Sequence, residues 1–530
     1  MSDSVKDSEP EHVALSTISR RRLIGGTVGL AALGLTAAVC GPLGATTSSG
    51  QPKSTKWLQV IISNGPDNLD PHLSSSGQAL TFYNAIFDSL TKFDQNLKPV
   101  PGLATEWKLL NDTTWRFTLR KGVKFHNGED FDATSVKFSL ERNLDPKLKS
   151  AAISRMPLLA GVDIVDQYTV DVRTSKPAPI IPLNVIWGFI MPAKYAQEVG
   201  NEKFAQAPIG TGPFILDKFV PGQQGDLHAN PTYWRGAPKI DKLTLKIIID
   251  PAVAASALKA GEAQIAPVPV QLANNITGTK GLKIQQQPKV SVAGTQLYSR
   301  VPSGPLTDKR VRQALNYALD KQTMVTQLLG GYARVAEGQM LTPECFGYNP
   351  DVKAYPYDVA KAKQLLADAG YAKGFELPIT VNWGLTPGDK DVTLAMADQL
   401  AKVGVTATIS NVENSVFFAV QKGIGDKTPS TFTNFLNYGD ARFCLQHGAT
   451  SSQFPYYSSP QYDALWAQSE STMDPTARAK VLQQLVALAR EEANSIFLYQ
   501  VVDLYGIADS LKSWQPHPTG WMFFDTAELA

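Results

Sequence analysis

The chain has 530 residues, more than one hydrophobic core usually organises, so two or three domains are expected. Hydrophobic residues make up 43% and aromatic residues 9%, ordinary for a globular protein. Fifty basic against 48 acidic residues leave a net charge of +2, and no basic tract follows the first turns of the chain, which excludes nucleic acid as an expected partner.

The N-terminus reads as a leader. A polar stretch from Met1 to Ile18 precedes Ser19-Arg20-Arg21-Arg22-Leu23-Ile24, and an apolar, Gly/Ala-rich run follows to Val39. This is the pattern of a twin-arginine signal peptide. The run is shorter than the roughly 20 residues that span a bilayer, so export is expected rather than a permanent anchor. Leu43-Gly44-Ala45 puts cleavage after Ala45, with the mature chain starting near Thr46 and residues 46–56 forming a linker. The bulky Val39 disfavours a lipid on Cys40. The mature chain then holds Cys345 and Cys444, which fit either one disulfide or two buried thiols.

From Trp57 short apolar runs alternate with amphipathic stretches, the pattern of a mixed α/β protein. Trp115 to Leu119 alternates like a half-buried strand, and Asn127-Gly128 signals a tight turn. Asp132 is placed to cap a helix through Val136, Phe138 and Leu140. Thr307 precedes a helical stripe of Val311, Ala314, Leu315, Ala318 and Leu319, with Gly330-Gly331 beyond its end. Asp358 opens a helix that stops near Gly370, and Asp474-Pro475 opens another through Val481, Leu482, Leu485 and Leu488. All of these read as scaffold.

Catalytic motifs are missing. Six histidines are scattered, and no pair has the close helical spacing of a zinc site. Gly210-Thr211-Gly212-Pro213 lacks the third glycine of a phosphate loop, and Pro213 removes a backbone donor where phosphate needs one, so a turn is expected. There is no Gly-x-Ser-x-Gly elbow, and neither cysteine has a local partner pattern. No metal, cofactor or catalytic residue is assigned.

Several segments, taken in order, resemble the peptide- and nickel-type family of ABC-importer solute-binding proteins. They begin with Asn68-Leu69-Asp70-Pro71-His72, Pro101-Gly102-Leu103-Ala104-Thr105-Glu106-Trp107 and the block from Trp115 to Ala133. Gly210 to Phe214, Asn230-Pro231-Thr232-Tyr233-Trp234, Ala257 to Glu262, Thr307 to Ala314, Ala369-Gly370-Tyr371 and Tyr457 to Asp463 continue the match over nearly the whole mature chain. The resemblance implies an α/β, bilobal periplasmic-binding-protein fold (type II, large cluster C) with an extra domain inserted in the first lobe. Lobe I would comprise 57–82, 207–290 and 501–530, the inserted domain 83–206 and lobe II 291–500. It also implies a periplasmic monomer that encloses a small ligand between its lobes and delivers it to the ABC permease subunits of the inner membrane. An exported hydrolase of the same fold and a ligand sensor for a membrane receptor are the alternatives.

In peptide-binding relatives a Trp-x-x-Asp-Tyr-x-Asp-Pro-like segment supplies an aspartate that pairs with the peptide α-amino group. The matching stretch here is Asn434-Phe435-Leu436-Asn437-Tyr438-Gly439-Asp440-Ala441. Asn437 stands where that aspartate would be, and an amide lacks the charge that an ammonium wants. By position the resemblance implies that Asn437, Tyr438, Asp440, Thr295, Gln296, Asn382, Trp383 and Arg442 line the cleft. Trp383 has a ring to stack on ligand and Arg442 a fork for carboxylate or phosphate. Core packing for Trp383 and structural ion pairs for Arg442 and Asp440 stay open. The ligand classes compatible with this set are peptide-like molecules and glycoside or opine-like conjugates.

Overall fold

The computed structural model describes residues 56–74, 77–300, 303–423, 430–452 and 454–530; the leader, its cleavage site and Cys40 lie outside them. The strands in chain order are β1 (Trp57–Ile62), β2 (Thr91–Phe93), β3 (Pro99–Pro101), β4 (Ala104–Asn111), β5 (Thr114–Leu119), β6 (Leu159–Asp166) and β7 (Thr169–Thr174). Then follow β8 (Phe214–Val220), β9 (Gln224–Ala229), β10 (Lys242–Ile247), β11 (Ile265–Pro267), β12 (Leu282–Leu297) and β13 (Arg334–Val335). The last long ones are β14 (Phe375–Val381), β15 (Val405–Asn411), β16 (Ser430–Leu436) and β17 (Ser495–Ala508).

One mixed sheet runs β15-β14-β16-β12-β17-β11-β1-β10-β9-β8, with β13 paired to β17. Its two halves have separate cores, one built around Leu58, Val60, Leu243 and Leu245, the other around Val311, Leu315, Ile379 and Val405. Among the described strands, β12 and β17 are the ones that cross from one half to the other. Leu282 to Pro288 pair with Ala508 to Val502, the register slips between Pro288 and Val292, and Val292 to Gln296 then pair with Gln500 to Ser495. A slip of this kind is where a paired ribbon bends. The molecule is therefore a mixed α/β, bilobal protein.

Between β1 and β8 in sequence stands a second, antiparallel sheet in the order β4-β5-β7-β6. It has a core of its own, in which Phe117, Val162, Val170 and Val172 meet Val136 and Leu140 of the helix Ala133–Arg142.

Local signals account for many boundaries. Asp132 accepts hydrogen bonds from the Thr134 and Ser135 amides, Asp358 from Lys361 and Asp474 from Ala477, so each caps the helix that follows it. The helix at 309 departs from expectation. Capped by Asp308, it ends at Tyr317, short of Leu319, because Asp320 caps a new turn through the Thr323 amide. The stretch before β8 is a turn, as expected: Cβ atoms on Gly210 or Gly212 would overlap the Ile86 backbone, and Thr211 Oγ1 donates to Asp88 Oδ2 at 3.0 Å. Cys345 and Cys444 are free thiols, buried in one apolar cluster.

Candidate functional site

The loop after β16 carries the residues singled out above across the face of the other half of the molecule. Gly439 makes the approach possible: its φ is +82°, and a Cβ there would lie 2.6 Å from the Leu97 carbonyl of the β2–β3 turn. Tyr438, itself at φ +40°, turns its ring into a cluster with Trp187 (5.0 Å between ring centroids, edge-on), Phe443 (5.5 Å) and Trp521 (6.0 Å). Trp187 and Trp521 meet edge-on at 5.0 Å. The seam thus draws on four stretches of chain: the turn Val185–Trp187, the β16 loop, the C-terminal segment around Trp521, and the turn Ala152–Arg155.

Arg155 supplies the charge. Its guanidinium lies 4.9 Å from the Trp187 ring centre and 5.1 Å from that of Tyr438, a cation held against two aromatic faces. Its backbone carbonyl accepts from Asn184 Nδ2 at 2.6 Å, which ties the turn down. His447 sits near enough that, after burial, the Arg155 charge is the next cause holding its imidazole down to about 4.

The seam also concentrates buried polar atoms that lack a hydrogen-bond partner. Asn437 is fully buried, and among the described residues neither its Oδ1 nor its Nδ2 has a partner; nor have Arg155 Nε, Trp187 Nε1, Trp521 Nε1 and His447 Nδ1. Each such atom costs on the order of 1–3 kcal/mol, so a cluster of them is rarely tolerated without a use. The set offers donors, an amide acceptor and aromatic faces, which suits a ligand that is itself rich in amides.

The two charges expected to face ligand are already paired. Both carboxylate oxygens of Asp440 accept from Arg478, at 2.6 and 2.9 Å, and Oδ1 also accepts from the Arg442 amide. Arg442 donates through Nε to both oxygens of Glu470, at 3.0 and 2.8 Å, and its guanidinium lies 5.7 Å from the Trp466 ring centre. Of the readings left open for them, Asp440 and Arg442 each take an internal ion pair.

The other expected residues gather in the half that holds β14 to β16. Thr295 Oγ1 contacts Met396 Sδ, Trp383 Nε1 donates to Thr393 Oγ1 at 3.2 Å, and Asn382 Nδ2 donates to the Val412 carbonyl at 2.8 Å. Gln296 Oε1 accepts from Thr431 (2.8 Å), Tyr298 (3.3 Å) and Gln421 (3.3 Å). Of the eight, Tyr438 is the one whose side-chain contacts among the described residues join the aromatic seam, and Asn437 precedes it in the same loop. Arg155, Trp187, His447 and Trp521 were missed, because nothing local in sequence distinguishes them from packing residues.

Comparison with known proteins agrees with this architecture. Residues 98–466 match the family model of bacterial extracellular solute-binding proteins, family 5. The glutathione-binding protein GsiB of Salmonella paratyphi A is 27% identical over 521 residues, 94% of this chain and 98% of that protein. The oligopeptide-binding protein AppA of Bacillus subtilis, solved with a nonapeptide, superposes with a TM-score of 0.76 at 25% identity, covering 91% of this chain and 100% of that one. NikZ of Campylobacter jejuni, solved with Ni(L-His), gives 0.76 at 25% identity over 88% and 96%.

Proposed function

Since the chain belongs to the bacterial extracellular solute-binding proteins, family 5, and is a binding receptor rather than an enzyme, we propose that it captures a peptide-like solute in the aromatic seam. On this reading the occupied receptor, a monomer, delivers its solute to the permease subunits of an ABC-type importer. Asn437 carries the argument. An amide buried with both its atoms unmet has the donor and acceptor that a peptide group pairs with.

Trp187, Tyr438 and Trp521 form the walls, while Asp440 and Arg442 hold the β16 loop in shape through Arg478 and Glu470. The names of the relatives, one a glutathione binder and one an oligopeptide binder, support the peptide-like class. The slip in β12 near residue 290 supports lobe boundaries at 290/291 and 500/501, and the separate sheet β4-β5-β7-β6 supports 83–206 as the insertion. Export through a leader ending at Ala45 belongs to the same reading.

Mass spectrometry of solute that co-purifies with the protein tests it. A bound oligopeptide or γ-glutamyl peptide, displaced unchanged and rebinding in a calorimeter, is the expected result. A bound sugar conjugate, or release of cleaved fragments, overturns it.

A further inference from the structure

Arg155 is more than a packing residue. Its Nε is buried without a partner, and among the described residues it forms no ion pair. Three charges of the neighbouring elements are engaged elsewhere: Asp440 with Arg478, Arg442 with Glu470, and Asp503 with Lys289 at 3.2 Å. His447 is kept neutral, first by burial and then by Arg155 itself. Among the described residues, Arg155 is thus a cation of the seam without an ion-pair partner. A guanidinium partly withdrawn from water and stacked on Trp187 and Tyr438 keeps its forked N–H groups for a planar, bidentate acceptor, and a carboxylate is such an acceptor.

From this we infer that the receptor selects its ligand by the acid end: Arg155 binds a free carboxylate, and no residue of the seam requires a free α-amine. The inference rests on the peptide-like reading above and deepens it. At Asn437 there is a neutral amide, which can pair with an acylated nitrogen and supplies no carboxylate for an ammonium. The ligand class is thus carboxylate-bearing amides, including peptides whose amino end is blocked or linked through another group.

A tripeptide library presented to the full mature protein in four forms, free, N-acetylated, C-amidated and doubly blocked, tests this by titration calorimetry. N-acetylation is expected to change affinity less than about threefold, and C-amidation to weaken it at least thirtyfold. Arg155→Gln should bring the acids down to the level of the amides, while Arg155→Lys restores part of the difference. Because Arg155 is partly exposed, both variants should melt like the parent. If amides bind the parent as well as acids do, or if Arg155→Gln binds acids undiminished, this inference falls and the receptor reading stands. If none of the four forms binds, the peptide-like reading falls and takes the inference with it.

Discussion

Asp440 and Asn437 sit three residues apart and answer opposite demands. The Asp440 carboxylate is closed by Arg478 on both oxygens, deep in the protein. Removing one partner of such a pair leaves a buried charge alone, so Asp440→Ala should lower unfolding free energy by about 3–5 kcal/mol in urea titration while any peptide the parent binds keeps its affinity. Asn437→Ala should do the reverse. It deletes two unsatisfied polar atoms, so thermal stability holds or rises, while peptide affinity falls by about 1–3 kcal/mol by calorimetry. Sequence pattern placed both residues in one loop, because that stretch resembles a known segment. It did not separate their roles, because the partner that decides the role of Asp440 lies 38 residues away on another helix.

At the scale of elements, what local chemistry controls was legible: the caps at Asp132, Asp358 and Asp474 and the turn at Asn127-Gly128, where Gly128 has φ +89° and its amide donates to the Phe125 carbonyl. The end of the helix at Tyr317 was not, since its apolar stripe continues past the point where Asp320 begins a new turn. Nor was the approach of the β16 loop to the β2–β3 turn, which joins residues more than three hundred positions apart. That approach depends on the missing side chain of Gly439. Gly439→Ala would press a methyl group against the Leu97 carbonyl and strain a positive φ, so the two elements would stand apart. The expected outcome is a loss of affinity of tenfold or more for any solute held in the seam. Small-angle scattering should show a larger radius of gyration in the presence of that solute than the parent gives.

For the whole molecule, acid is a weakness built into the interior. His72 and His517 are buried and neutral, each lowered by burial from 6.5 to about 4. His72 Nε2 donates to the Phe189 carbonyl and Nδ1 accepts from Arg142, while His517 Nε2 donates to the Asp94 carbonyl. Between pH 6.5 and 4 the unfolded chain takes up protons that the folded one refuses, so their stabilisation is complete above about 6.5 and is lost as pH falls towards 4. Each contributes at most roughly 3 kcal/mol across that window. Urea midpoints measured from pH 7 to 4 should fall, and His517→Gln should flatten the fall. The route of the chain has a further consequence, for the order in which the protein is made. β17, beginning at Ser495, lies in the middle of the large sheet between β12 and β11, and Trp521 follows it. A ribosome delivers that central strand almost last, so the large sheet must wait, incomplete, for a late arrival while the sheet β4-β5-β7-β6 already has all its strands. Neither half of the large sheet is finished until synthesis is nearly over, so the chain must be kept from misassociating through most of its own making.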